Sequence, residues 1–144
     1  MIIRFAQASD SFALSALLAE LGYEGTETFI DDRLEQLIDD RMERLLIAEQ
    51  GKTILGFLSL HFIPQLALQG DFARISYFCI AEGERSKGAG HQLLQYAEKL
   101  AQDHGCDRME VHCNEHRIKG NAFYWREGYR EAPCYLIKLL SGRA

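Results

Sequence analysis

The chain has 144 residues, 47% hydrophobic and 26% charged, with 2 Pro and 12 Gly, which suits one globular domain with its own core and excludes disordered and fibrous classes. Sixteen Lys and Arg against 21 Asp and Glu leave a net charge of −5, so nonspecific duplex binding has no electrostatic basis. No apolar stretch approaches the roughly 20 residues of a membrane span, and the start MIIRFAQASDSF has no signal-peptide h-region. A single cytoplasmic domain over residues 1–144, with neither nucleic acid nor membrane as partner, is the expectation. Cys79, Cys106, Cys113 and Cys134 show no CxxC pairing and read as small apolar residues rather than disulfide halves.

Ile2, Ile3 and Phe5 form a short apolar run, and Ala8-Ser9-Asp10-Ser11 offers capping oxygens to a helix carrying Leu14, Leu17, Leu18 and Leu21, ended by Gly22. A second helical stripe runs through Ile30, Leu34, Leu37, Ile38 and Met42, with Asp31, Asp32, Asp39 and Asp40 on a solvated face. Arg44–Glu49 and Thr53–Phe62 are β-type runs around a Gln50-Gly51-Lys52 hairpin turn, and Pro64 stops the second. Phe72–Ile80 predicts the next strand and Glu82–Gly90 a charged, glycine-bearing loop. Leu93, Leu94, Ala97, Leu100 and Ala101 then predict a helix ending at His104-Gly105. Arg108–Cys113 reads as a short strand, Ile118–Glu127 as a helix closed by Gly128, and Cys134–Leu140 as a final strand. The order β-α-α-β-β-β-α-β-α-β mixes hairpins with helical crossovers and predicts an α+β sandwich around one mixed sheet.

In the strand Arg108–Cys113, Met109, Val111 and Cys113 share one face while Arg108, Glu110 and His112 share the other. A strand covered on both sides is apolar throughout, so this polar face is either solvent-facing or the wall of a cleft. The loop Arg85-Ser86-Lys87-Gly88-Ala89-Gly90 lies between a strand and a helix. Glycines at 88 and 90 permit positive φ and close backbone approach, so successive N–H groups can converge on an anion at a helix N-terminus; alternatively they only shape a tight turn. A Rossmann loop needs a third glycine where Leu93 stands, and the Walker pattern is absent.

Arg85-x-x-Gly88-x-Gly90 resembles the pyrophosphate loop of the GNAT superfamily of acyl-CoA-dependent N-acyltransferases. Ile80 to Arg85 is similar to the approach to that loop, and Arg117-x-x-Gly120-Asn121-x-Phe123-Tyr124-x-x-x-Gly128-Tyr129 resembles the family's C-terminal motif. Ile47-Ala48-Glu49 with Ile54-x-Gly56-Phe57 is similar to its central hairpin. Gly120 and Asn121 stand where alanine and histidine are usual, and Ser76 and Tyr77 occupy the region where many members carry a carboxylate. The resemblance implies a central mixed, mostly antiparallel sheet with about four helices and a V-shaped splay between two central strands. It further implies acetyl-CoA as cosubstrate, its pyrophosphate on Arg85, Ser86, Lys87, Gly88, Ala89 and Gly90, and its pantetheine on backbone around Phe78 and Ile80, with Asn114 adding a contact or only shaping a turn.

An alkylamine of pKa about 10 is neutral in roughly one part per thousand at pH 7, a penalty of about 4 kcal/mol that a base or water chain relieves. Glu110, matching the L-E-V glutamate of some members, is the first candidate base and His112 the second, with a surface ion pair the competing role for Glu110. Tyr124, in the Phe-Tyr of the second motif, is the implied general acid for the thiolate, while Phe123 and Trp125 read as packing. His104, Cys106, His112, Cys113 and His116 lack ligand spacing, so no metal is expected. The implied activity is acetyl transfer from acetyl-CoA directly to a primary amine of a small molecule or peptide. A catalytically inert acyl-CoA sensor and a metal-binding interaction module are the alternatives, and a homodimer is an open expectation.

Overall fold

Residues Ile2–Phe5 form β1, which pairs antiparallel with β2 (Glu43–Gln50). This computed structural model describes residues 1–85, 87–112, 118–132 and 136–141. The chain divides into two compact units, Met1–His112 and Cys113–Ala144.

In the first unit, β3 (Thr53–Ile63), β4 (Phe72–Ile80) and β5 (Met109–Val111) complete a five-stranded sheet in the order β1-β2-β3-β4-β5. The first three pairings are antiparallel and β4–β5 is parallel. A parallel pair needs a crossover, and α3 (Ala89–His104) supplies it. Two further helices, α1 (Ser11–Glu20) and α2 (Ile30–Asp39), precede β2. The α2 helix stops short of Met42, because the Asp40 carboxylate accepts the Met42 backbone N–H at 2.9 Å and turns the chain into β2. Among the described residues no helix is long and apolar enough to cross a membrane.

Period-two alternation divides the sheet's side chains between two helical layers. Leu14, Leu17, Ile30 and Leu34 pack with Ile47, Phe57 and Cys79 on one face. Leu46, Leu58 and Leu60 alternate to the other, where α3 brings Leu93, Leu94 and Ala97, and all six are at most 1% exposed. The edge is tied down by Arg4, which donates to Asp10 at 2.8 and 2.9 Å and to Glu49 at 2.9 Å. Those bonds hold the Asp10 carboxyl below its ordinary range despite its burial. Asp10 also accepts the Gln7 N–H at 2.7 Å, which closes the short turn before α1, whereas α1 itself has no side-chain cap, contrary to the expectation for the Ala8–Ser11 segment.

Two irregularities position the site. Glycine at 56 lets β3 approach β4, since a Cβ there would lie 2.5 Å from the Cys79 carbonyl oxygen and 2.7 Å from Ile80 Cδ1. In the β3–β4 ladder, Ser59 faces Tyr77 and Leu60 faces Ile75, so Ser76 is an extra, bulged residue. The described β4–β5 ladder runs from Ala73–Met109 to Ile75–Val111.

The second unit contains α4 (Ile118–Arg126), which Gly128 ends with φ +94° while the Tyr129 N–H donates to the Tyr124 carbonyl at 2.9 Å. The expected strand Cys134–Leu140 is not formed by its described part: Leu136 to Leu139 carry no strand assignment, and Leu136 and Leu140 are more than 90% exposed. Among the described residues this β-type run has no paired strand to bond against. Cys134 and Tyr135 lie outside the described residues.

Candidate active site

The loop after β4 begins at the Ala81 N–H, which donates to the Leu55 carbonyl at 2.7 Å, and turns through Gly83 at φ +85°. Gly88, at φ +87°, caps α3 in the left-handed region. That conformation favours glycine and releases the first N–H groups of α3 toward the loop. Gly90 differs from expectation: it lies in the first turn of α3 and carries no positive φ, so of the two glycines only Gly88 is conformationally required. Arg85 is exposed, and Lys87 bonds Glu84 at 2.9 Å. Ser86 and Asn114 lie outside the described residues. Positive side chains and the first N–H groups of α3 form a donor set that fits a pyrophosphate, and Phe78 and Ile80 stand on the last part of β4, just before this loop.

A polar strip lies on the α1–α2 face of the sheet, beyond the helices' apolar contact. Glu110 on β5 stands opposite Arg74 on β4. Its carboxylate accepts from Arg74 at 3.0 Å and from Arg108 at 2.9 Å. Burial pushes the Glu110 carboxyl up, but the two guanidinium groups outweigh it and hold the group below its ordinary value. A carboxylate stabilised in this way is a weak proton acceptor. Arg74 and Arg108 both lie over the Phe72 ring, 5.4 and 4.3 Å from its centre. His112 is exposed just beyond β5.

Three residues in this strip were not singled out by sequence as a constellation. His61 on β3 contacts Ser76 Oγ through Nε2 and Glu43 on β2 through Nδ1. The contact with Ser76 is a hydrogen bond, and that with Glu43 an ion contact rather than an aligned hydrogen bond. The sequence signal is a histidine within a largely apolar strand. Tyr77, the next β4 residue on this face, meets Tyr23 from the α1–α2 connection edge-on, with ring centres 5.4 Å apart.

In the second unit Tyr124 is half-buried on α4, edge-on to Phe123 and Tyr129 with ring centres 5.4 and 5.6 Å apart. Trp125, expected to pack, is 56% exposed, since the next helical residue is rotated by about 100°. Among the described residues no three His, Cys, Asp or Glu side chains converge as a metal site. Cys79 is buried, while the half-buried Cys106 thiol is pushed up by burial and by Asp71 and Asp107. Cys113, Cys134 and His116 lie outside the described residues.

Comparison with known proteins agrees with this architecture. The chain is 28% identical over 140 residues to an aminoalkylphosphonate N-acetyltransferase of Salmonella typhimurium, covering 96% of this chain and 90% of that one. A Bacillus halodurans structure described as a transcriptional regulator superposes with TM-score 0.90 at 24% identity, covering 96% and 99% of the two chains. A GNAT family acetyltransferase of Staphylococcus aureus does so with TM-score 0.81 at 23% identity, covering 96% and 98%. Residues 12–129 match the Acetyltransferase (GNAT) family, and the chain belongs to that family.

Proposed function

We propose that this chain is an acetyl-CoA-dependent N-acetyltransferase that moves the acetyl group directly to a primary amine of a small molecule or peptide, within one domain. The observation that carries the reading is the loop after β4, which turns through Gly83 and ends at Gly88, whose left-handed conformation caps α3 and turns the first N–H groups of that helix toward the loop. The β4 backbone around Phe78 and Ile80 is assigned to the amide groups of pantetheine by the family resemblance. The helix N-terminus with Arg85 and Lys87 suits pyrophosphate, and the family resemblance adds Ser86, Ala89 and Gly90 to that loop and Asn114 to the pantetheine contacts. Acetyl-CoA supplies an activated thioester.

The protein's own tasks are to hold the donor, to free the amine of a proton and to return one to the thiolate. A phenol of pKa about 10 protonates a thiolate of pKa about 8.5 uphill by about 2 kcal/mol, which positioning offsets, and Tyr124 takes this role by family motif. Glu110 serves better as the counter-ion that fixes Arg74 and Arg108 than as the base. The named activity of the Salmonella relative supports including small amines with an anionic group among the acceptors. A panel of amines incubated with acetyl-CoA, followed by free-thiol release, tests the reading. At least one amine is expected to accelerate release. Coenzyme binding without release on any amine would leave the inert sensor instead.

A further inference from the structure

Glu43, His61 and Ser76 come from three adjacent strands and meet on one face of the sheet. We propose that they form the proton relay that deprotonates the acceptor amine, with Ser76 at the substrate end. The proposal rests on the N-acetyltransferase reading above.

Each imidazole nitrogen has its own partner: Nε2 faces the Ser76 hydroxyl and Nδ1 faces the Glu43 carboxylate. An Nδ1–H tautomer, favoured by the negative charge of the facing carboxylate, leaves the Nε2 lone pair to accept the serine proton. Exposure falls along the chain of groups. Ser76 is exposed, whereas the His61 and Glu43 side chains are 25% and 20% exposed. The solvent end is also where β4 is irregular, because Ser76 is the bulged residue of that strand. Bulges re-aim side chains beside active sites. Glu110, the competing base, already serves two guanidinium groups.

In the step itself, an ammonium proton passes to Ser76 Oγ as the hydroxyl's own proton passes to His61 Nε2. The freed nitrogen lone pair forms the N–C bond to the acyl carbon, and the C–S bond breaks with its electron pair on sulfur. The second proton lost by nitrogen as the amide forms balances the one the thiolate gains. Glu43 holds the resulting imidazolium until it returns its proton to solvent.

Two measurements test the relay. In ligand-free protein, 15N spectra of His61 are expected to show the Nδ1–H tautomer, with the balance displaced by Ser76→Ala and by Glu43→Gln. An Nε2–H tautomer, or spectra indifferent to both substitutions, overturns the proposal. On an acceptor found in the amine panel, His61→Gln should lower kcat/KM by about 10²–10⁴-fold while the acetyl-CoA-induced rise in melting temperature persists. With the same amine carrying neighbouring fluorines, so that it is already neutral at the working pH, the loss should nearly vanish. Ser76→Ala, at an exposed position that tolerates change, should show the same dependence on the amine with a smaller loss, since water can stand in for the hydroxyl. Equal losses on both amines, no loss, or an acetyl group trapped on Ser76 overturns the relay. A wild type silent on every amine removes the acetyltransferase reading, and the relay with it.

Discussion

One carboxylate shared by two guanidinium groups makes Glu110 a fixed anion, and its substitution separates charge pairing from catalysis. With a folded-state pKa below the unfolded value, Glu110 contributes stability that is present above the unfolded pKa and lost as pH falls through the folded one. Glu110→Gln is therefore expected to lower stability at pH 7, by no more than about 1 kcal/mol because both arginines are substantially solvated, and to have no effect near pH 3. Thermal melts at the two pH values check it. Its effect on kcat/KM should be less than about tenfold and independent of pH, far below the loss of a general base. Tyr124→Phe, in contrast, should lower kcat by about 10²–10⁴-fold with little change in coenzyme affinity, and a donor with a less basic thiol should restore part of the rate. Steady-state rates on the two donors decide it. The sequence marked both residues, one through strand alternation and the other through a motif. What it did not reveal was the environment of Glu110, because Arg74 lies 36 residues away and becomes its neighbour only through the parallel pairing.

The strands and helices of the first unit were largely legible, because apolar periodicity and glycine punctuation reflect the burial and turns that the chain must satisfy. Register was less accessible. An unbulged hairpin closed by Gln50 and Thr53 would put Leu60 opposite Glu43, and the extra residue Leu55 moves His61 there instead. One bulge thus assembles the Glu43–His61 pair, and a second one aims Ser76 at it. The close approach of β3 and β4 depends on Gly56, where an added Cβ would meet backbone rather than a yielding side chain. Gly56→Ala is expected to cost about 1–3 kcal/mol, read as a lower urea midpoint at unchanged slope. At the other end of β4, Gly88 holds φ +87° with open space around its Cα. Gly88→Val accordingly introduces backbone strain without a steric clash in the ligand-free protein. Acetyl-CoA should raise the melting temperature of wild type, by the equivalent of about 2.7 kcal/mol at a hundredfold excess over Kd. Gly88→Val should stay folded and lose that rise. A retained rise in the folded variant would remove this loop from the coenzyme site.

Across the whole chain, the family match spans residues 12–129 and so includes parts of both compact units. The mixed sheet was readable from element order alone, because two hairpins followed by a helical crossover leave few sheet topologies. The C-terminal strand was not, since Leu136 to Leu140 have the composition of a strand while strand formation requires a paired edge that composition cannot supply. The same division applies to chemistry. Motifs suggest the coenzyme loop and the role of Tyr124, whereas the proposed relay consists of side chains that converge from separate strands. Direct transfer is the central claim, and acetyl-CoA labelled with 13C in its acetyl group tests it most directly, in a single turnover on an amine identified by thiol release. The account predicts one N-acetylated amine for each free thiol, with no label on the protein at any time. Label that appears covalently on the protein before the amine, or thiol released together with free acetate and no acetylated amine, would contradict it.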